Sequence, residues 1–411
     1  VTTFTANLAA DIRENLRKIC TLEELRRIEV IHLDAWVNQF LRESGFSAQI
    51  GYDDVINPLW EKAVLSANID LPFETSFYEE EWNRIAIAQE ALTLEKYVRA
   101  TRNGRGTRLD RKKRMQVWKV FENYQNLMKE NQIRDINTAM YESTKLLQST
   151  GRKPRYASII IDEGQDFSDN AYRLIRALAG EEHPNDIFIV GDSHQRIYRN
   201  HPTLSKCGIN VRGRSSILKI NYRTTEEIRK YAFALLNGIS FDDLDENSDL
   251  GDKCQSLTHG EKPIVENFEN ANDEFDFLLH EVKKLKENGI SLTDICVVAR
   301  TKKLVDDYIA LFTKAGICAY VIKRNKVDDR SFDGLRVATM HRGKGLEFKY
   351  VFIVAANSRI IPLPSAINKT DPVSEVESVT SEKCLLYVAM TRAQKGVYIT
   401  SYGRKSVFLK S

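Results

Sequence analysis

At 411 residues, 42% hydrophobic and 28% charged, the chain has the make-up of a folded globular protein of about two to four domains, which excludes a disordered or fibrous one. Its 60 Lys and Arg against 57 Asp and Glu leave a net charge of only +3, so affinity for a polyanion has to come from local patches. Six scattered cysteines, with no C-x-x-C pair and no nearby His at zinc spacing, predict reduced thiols in a cytoplasmic protein. No apolar run reaches the roughly 18 to 20 residues that span a bilayer, so no membrane contact is expected.

In chain order, Val1 to Thr5 alternates like a strand end and leads into LAADIRENLRKI, where Leu8, Ile12, Leu16 and Ile19 recur at helical spacing. The first residue is Val, not Met, and the chain is read as part of a longer one. From 41 to 155 the text changes to long amphipathic segments such as YEEEWNRIAIAQEALTLEKYVRA and RMQVWKVFENYQNLMKE, which predict a helical insertion almost without strands. Strand and helix then alternate through YASIIID, NAYRLIRALAG, DIFIVGD, SILKINYR and TEEIRKYAFALL. A second series runs from PIVENFE through DICVVAR, LRVATMH and YVFIVAA to the closing SEKCLLYVAMTRAQKGVYITSY. Alternation of this kind predicts parallel sheets with crossover helices, hence two α/β domains and one helical insertion.

The chemistry sits at the strand ends. IIIDEGQDFS runs three apolar β-branched residues into Asp162 and Glu163. An Asp at the C-terminal end of a central parallel strand lies in the crevice where such sheets bind ligands, and there it can hold Mg²⁺. Glu163 is placed to orient or deprotonate a water. IFIVGDSHQRIY repeats the pattern: Gln195 can sense a terminal phosphate, and Tyr198 offers a flat ring to a base. In NYRT, Tyr222 can stack on adenine and Arg223 can reach phosphate. VATMHRGKGLEFKYVFIV joins two apolar strands through a polar connector with His341, the turn Gly343-Lys344-Gly345 and Glu347. LLYVAMTRAQKGVYIT carries Arg392 off an apolar helix toward the cleft between the sheets.

Together these stretches resemble the UvrD/Rep branch of superfamily 1 DNA helicases, over Val1 to about Thr400. VTTFTANLAADI is similar to motif Ia, VIHLDAWVNQFL to Ib, IIIDEGQDFS to II, VGDSHQRIY to III, NYRT to IV, TMHRGKGLEF to V and LLYVAMTRA to VI. The resemblance implies two RecA-like domains of the P-loop NTPase type with ATP and Mg²⁺ between them. Asp162 and Glu163 then serve the metal and water activation, Gln195, Arg223 and Arg392 the γ-phosphate, Tyr222 the adenine and Glu347 the ribose. Single-stranded or partly duplex DNA is the implied partner, touched by Phe4, Thr5, His32, Trp36, Tyr198, Arg199 and His341. A monomeric motor moving 3′ to 5′, in repair, recombination or defence, is the expected function. The competing expectation is a non-hydrolysing DNA-binding or scaffold protein that keeps the fold.

Four departures qualify the match. G-x-x-x-x-G-K-[ST], the loop that cradles phosphates, has no counterpart, and is expected upstream of Val1, so that this chain alone hydrolyses ATP poorly. Asn200 follows Tyr198-Arg199 where the family often has Trp, and Arg342-Gly343 stands where it commonly has Ser-Ala. The link KRNKVDDRSFDG is too short to hold the family's 2B domain. The expected layout is 1–40 as the start of domain 1A, 41–155 as insertion 1B, 156–218 as the rest of 1A and 219–411 as domain 2A. Within 1B, TRNGRGTRLDRKKRMQVWK gathers Arg102, Arg105, Arg108, Arg111, Lys112, Lys113 and Arg114, either as a solvated face or as a phosphate contact.

Overall fold

Strands form in this protein where apolar β-branched runs end on polar turns. The computed structural model describes all residues except 103–104, 151–155, 199–201, 243–247, 250–253, 324–327, 330, 370 and 410–411. In chain order the strands are β1 (Thr2–Thr3), β2 (Ile31–His32), β3 (Gln49–Gly51), β4 (Ile133–Asp135), β5 (Ile159–Asp162), β6 (Ile187–Ile189), β7 (Ile220–Asn221) and β8 (Phe241–Asp242). They continue as β9 (Ser248–Asp249), β10 (Gln255–Ser256), β11 (Ile264–Phe268), β12 (Ile295–Ala299), β13 (Ala319–Val321), β14 (Leu335–Thr339), β15 (Phe348–Ile353) and β16 (Ala393–Tyr402).

Two parallel sheets organise the chain, as expected for a pair of RecA-like domains. The first has the order β2-β1-β5-β6 and the second β11-β16-β15-β12-β14-β13. Register in the first sheet sets Thr3 beside both His32 and Asp162, so three segments leave it at one edge. In the second, Phe348 pairs with Ala393, which brings Glu347 and Arg392, the residues just before them, to one edge as well.

A parallel sheet has to be covered on both faces. The second sheet is: one face packs Val351, Ile353 and Val397 against the helix Pro372–Met390, and the other packs Val297, Val337 and Phe352 against Ala271–Glu287 and Lys302–Lys314. The first sheet packs one face against Trp36, Leu174 and Ile175 among others, while on the other face Thr3 is buried but Ile160, Phe188 and Val190 remain 42%, 63% and 42% exposed.

The helical insertion has a core of its own. Trp60 of the helix Asp53–Ala67 stacks on Tyr124 of Arg111–Glu130 at 3.7 Å, with Phe77, Trp82 and Phe121 around them. Burying each such ring contributes about 1.5–3 kcal/mol. Two features depart from expectation. The insertion does contain strands, the parallel pair β3 and β4. The run SILKINYR yields only the short β7, which pairs with β10 and joins neither large sheet, and leaves Ile217 and Leu218 exposed.

Candidate active site and nucleic-acid surface

The carboxylates come from the end of β5. Glu163 follows the strand in a left-handed conformation, φ 57° and ψ 41°, which is costly for a residue with a Cβ and marks an over-determined turn. Gly164 lets that turn close, since a Cβ there would lie 2.6 Å from Ile189 and 2.8 Å from the Tyr172 hydroxyl. Asp162 accepts a hydrogen bond from the Glu163 amide at 3.0 Å, and burial with the adjacent Glu163 charge raises its pKa above the usual carboxylate value.

Fully buried Gln165 ties this turn to the next strand end. Its Nε2 donates to Glu163 Oε2 at 2.5 Å, and its Oε1 accepts from the Asp192 amide at 3.0 Å. Gln195 follows on a short 3₁₀ turn, its side-chain amide donating to Asp192 at 2.8 Å.

The far wall is built from the second sheet. Asp371 caps the helix Pro372–Met390 by accepting from the amides of Val373 and Ser374, and Pro372 suits its first turn. Arg392 emerges just past the other end, 1% exposed, and its Nη2 donates to Gln195 Oε1 at 2.7 Å. Arg392 Nη1 is buried with no hydrogen-bond partner among the described residues. Burial and the nearby Arg223 lower the Arg392 pKa to about 10. Arg223 meets Glu347 at 2.6 Å, and the Tyr222 ring beside it is 74% exposed. Among the described residues no three His, Cys, Asp or Glu side chains are grouped to hold a metal ion.

Lys344 is the residue that sequence reasoning passed over as part of a small turn. Its ammonium, almost fully buried, lies 2.5 Å from Asp166 and 3.6 Å from Glu163, and donates to the Gln195 carbonyl at 2.7 Å. Burial lifts Asp166 to about pKa 7 even against this cation. The signal was a Lys set between two glycines in a polar connector, but its partners lie far away in sequence.

Of the expected DNA contacts, several cluster along the edge where the first sheet ends. Phe4 lies against Tyr198, ring centroids 4.7 Å apart, and His32 Nε2 donates to the Phe4 carbonyl at 2.8 Å. Thr5 caps the helix Ala6–Ile19 by accepting from the Leu8 amide. His341 is held neutral, its pKa lowered to about 4 by burial and by Arg300, Arg342 and Lys344. Trp36 departs from the expectation: it is 4% exposed, stacks on Phe40 at 4.8 Å and donates to the Tyr156 hydroxyl, so it presents no open face. Arg199 lies outside the described residues.

The basic run is divided. Arg102 and Arg105 converge on fully buried Glu81 at 2.6 and 3.2 Å, and Arg105 also meets Glu80. Arg114 donates to the carbonyls of Tyr97, Val98 and Ala100. These three are structural, whereas Arg108, Arg111, Lys112 and Lys113 face solvent.

The sequence is similar to known proteins over nearly its whole length. The UvrD/REP helicase N-terminal domain family matches residues 1–201, and the UvrD-like helicase C-terminal domain family matches 216–332 and 324–404. A probable DNA helicase of Mycoplasma pneumoniae is 23% identical over 440 residues, covering 98% of this chain and 74% of that protein. A probable DNA helicase II homolog of the same organism is 22% identical, over 79% of this chain and 47% of its own length. ATP-dependent DNA helicase UvrD1 of Mycobacterium tuberculosis is 24% identical over 49% of this chain and 27% of its own. The chain thus spans about three quarters of the first of these relatives and under half of the second.

Proposed function

We propose, from the premise that this chain belongs to the UvrD/Rep helicase family, that it is the motor portion of an ATP-dependent DNA translocase or helicase moving 3′ to 5′ on single-stranded DNA. The observation that carries this reading is the convergence of Arg392 and Lys344 from the second sheet onto Gln195, Glu163 and Asp166 of the first.

The residues present fit a magnesium nucleotide. Asp162 would hold the metal ion, and one carboxylate is what Mg²⁺ needs when waters and phosphate oxygens fill its remaining positions. The unpartnered Nη1 of Arg392 is a buried donor aimed where a terminal phosphate would lie. Bound ATP supplies the phosphoanhydride bond whose hydrolysis does the work. Glu163 takes a proton from the attacking water, Gln195 and Arg392 hold the terminal phosphate, and the exposed Tyr222 ring covers the base. Arg223 and Glu347, paired in this structure, separate so that the cation meets phosphate and the carboxylate meets ribose. Arginines on the far wall gain a phosphate partner only when the cleft closes, which converts binding into domain movement.

Hydrolysis also needs a phosphate-binding loop, which the 411 residues lack, so the chain alone turns over ATP poorly. The exposed apolar patch of Ile160, Phe188 and Val190 on the β5–β6 side supports this, because a parallel sheet is ordinarily covered there. A 2B domain is absent on this reading: β13 and β14 are joined by residues 322–334 alone, and the two C-terminal family matches overlap there.

Phe4, Tyr198, His32 and His341 form the proposed DNA track, where rings grip bases without reading them. Anisotropy of a labelled oligo-dT tests it with this chain as it stands. Binding that weakens steeply with salt is expected; no binding at low salt overturns the reading.

A further inference from the structure

We propose that Lys344 is a positioning residue that holds Glu163 in an idle arrangement and releases it when DNA seats on the Met340–Glu347 connector. The inference rests on the DNA-motor reading above and adds to it the route by which DNA reaches the hydrolytic carboxylate.

Three observations carry it. First, Lys344 spends its donors across the cleft, on Asp166 Oδ2 at 2.5 Å and the Gln195 carbonyl at 2.7 Å, while facing Glu163 Oε2 at 3.6 Å. That same Glu163 oxygen already accepts from Gln165 at 2.5 Å. A carboxylate that serves as a base must offer a lone pair to water, and here Oε2 is turned toward a side-chain amide and a buried ammonium. Second, Lys344 rides on the same connector as His341 and Arg342, between Gly343 and Gly345. Gly345 is at φ 81°, and the connector passes over Val298 of β12 and against Leu8, just beyond Phe4 and Thr5. A strand lying on Phe4 and His341 therefore presses on the connector itself. Third, the ammonium has no room to wander: its side chain is 2% exposed and packed along its length, so a displaced connector draws the Lys344 stem with it. When Lys344 withdraws, Glu163 loses a cationic neighbour and its carboxylate turns to water. Coupling between two such sites is a matter of one group contacting both in one state and not in the other.

Amide hydrogen exchange of this chain with and without oligo-dT tests the idea without any turnover. In the wild type, DNA should change exchange in both 339–345 and 162–166. In Lys344→Gln the response at 339–345 should persist and that at 162–166 should be lost; Lys344→Arg should restore it. Should Lys344→Gln fail to fold because Asp166 is left buried without its cation, the paired Lys344→Gln, Asp166→Asn variant replaces it, with the same loss expected. An unchanged response at 162–166 in these variants, or a wild type that responds at the connector alone, overturns the role of Lys344. A wild type that binds no DNA overturns the DNA reading instead.

Discussion

Arg392 reaches across the cleft to donate to Gln195 at 2.7 Å, joining the end of a second-domain helix to the turn after β6. The two side chains are one unit, because Gln195 orients the guanidinium, whose Nη1 has no hydrogen-bond partner among the described residues. Arg392→Ala and Gln195→Ala should each lower ATP turnover by about 10²–10³ once a phosphate-binding loop is supplied. The double variant should be little worse than Arg392→Ala alone, a non-additivity that steady-state hydrolysis rates will read out.

Phe4 and Tyr198 face each other at 4.7 Å, close enough to act as one platform. Replacing either ring by Ala should weaken oligo-dT binding by about 1–3 kcal/mol, measured by anisotropy. Trp36→Phe should leave binding unchanged, since that ring is packed on Phe40.

The basic run separates by function. Arg105→Ala leaves Arg102 on fully buried Glu81, whereas the double variant Arg102→Ala, Arg105→Ala strands that carboxylate without a cation and should cost about 3–5 kcal/mol in denaturant unfolding. Arg111, Lys112 and Lys113 instead sit in the first turn of Arg111–Glu130, where cations oppose the helix dipole. Reversing Lys112 and Lys113 to Glu should therefore raise stability slightly while flattening the salt dependence of DNA binding.

His341 sets a pH dependence. Its pKa is about 4 in the fold against about 6.5 when free, so between these values the unfolded chain binds more protons. Its contribution is intact above about pH 6.5 and is lost as pH falls toward 4. Urea unfolding from pH ~7.5 to ~4.5 should show wild type losing more stability than His341→Asn, the two curves running parallel above pH ~6.5.

Much of this architecture was legible where local chemistry repeats. The apolar strands ending in Asp162, Ile189 and Thr339, and the helix leading to Arg392, follow from pattern alone, and parallel register brings their ends to the cleft. What pattern does not carry is pairing at long range. Arg102 and Arg105 read as a surface charge run because Glu81, their partner, lies in an earlier helix. Trp36 reads as a stacking platform because Tyr156, which accepts from its indole, is distant in the chain. Lys344 reads as a turn residue for the same reason: its meaning is Asp166, in the other domain.

The central claim is that these two domains form an ATP-driven DNA motor. Its most direct test is DNA-stimulated ATP hydrolysis by the chain joined to a phosphate-binding strand, loop and helix, against Glu163→Gln in the same background. Turnover that rises with single-stranded DNA and falls at least about 10²-fold in Glu163→Gln is the predicted result. Turnover no greater than that of Glu163→Gln, with DNA present, would contradict it.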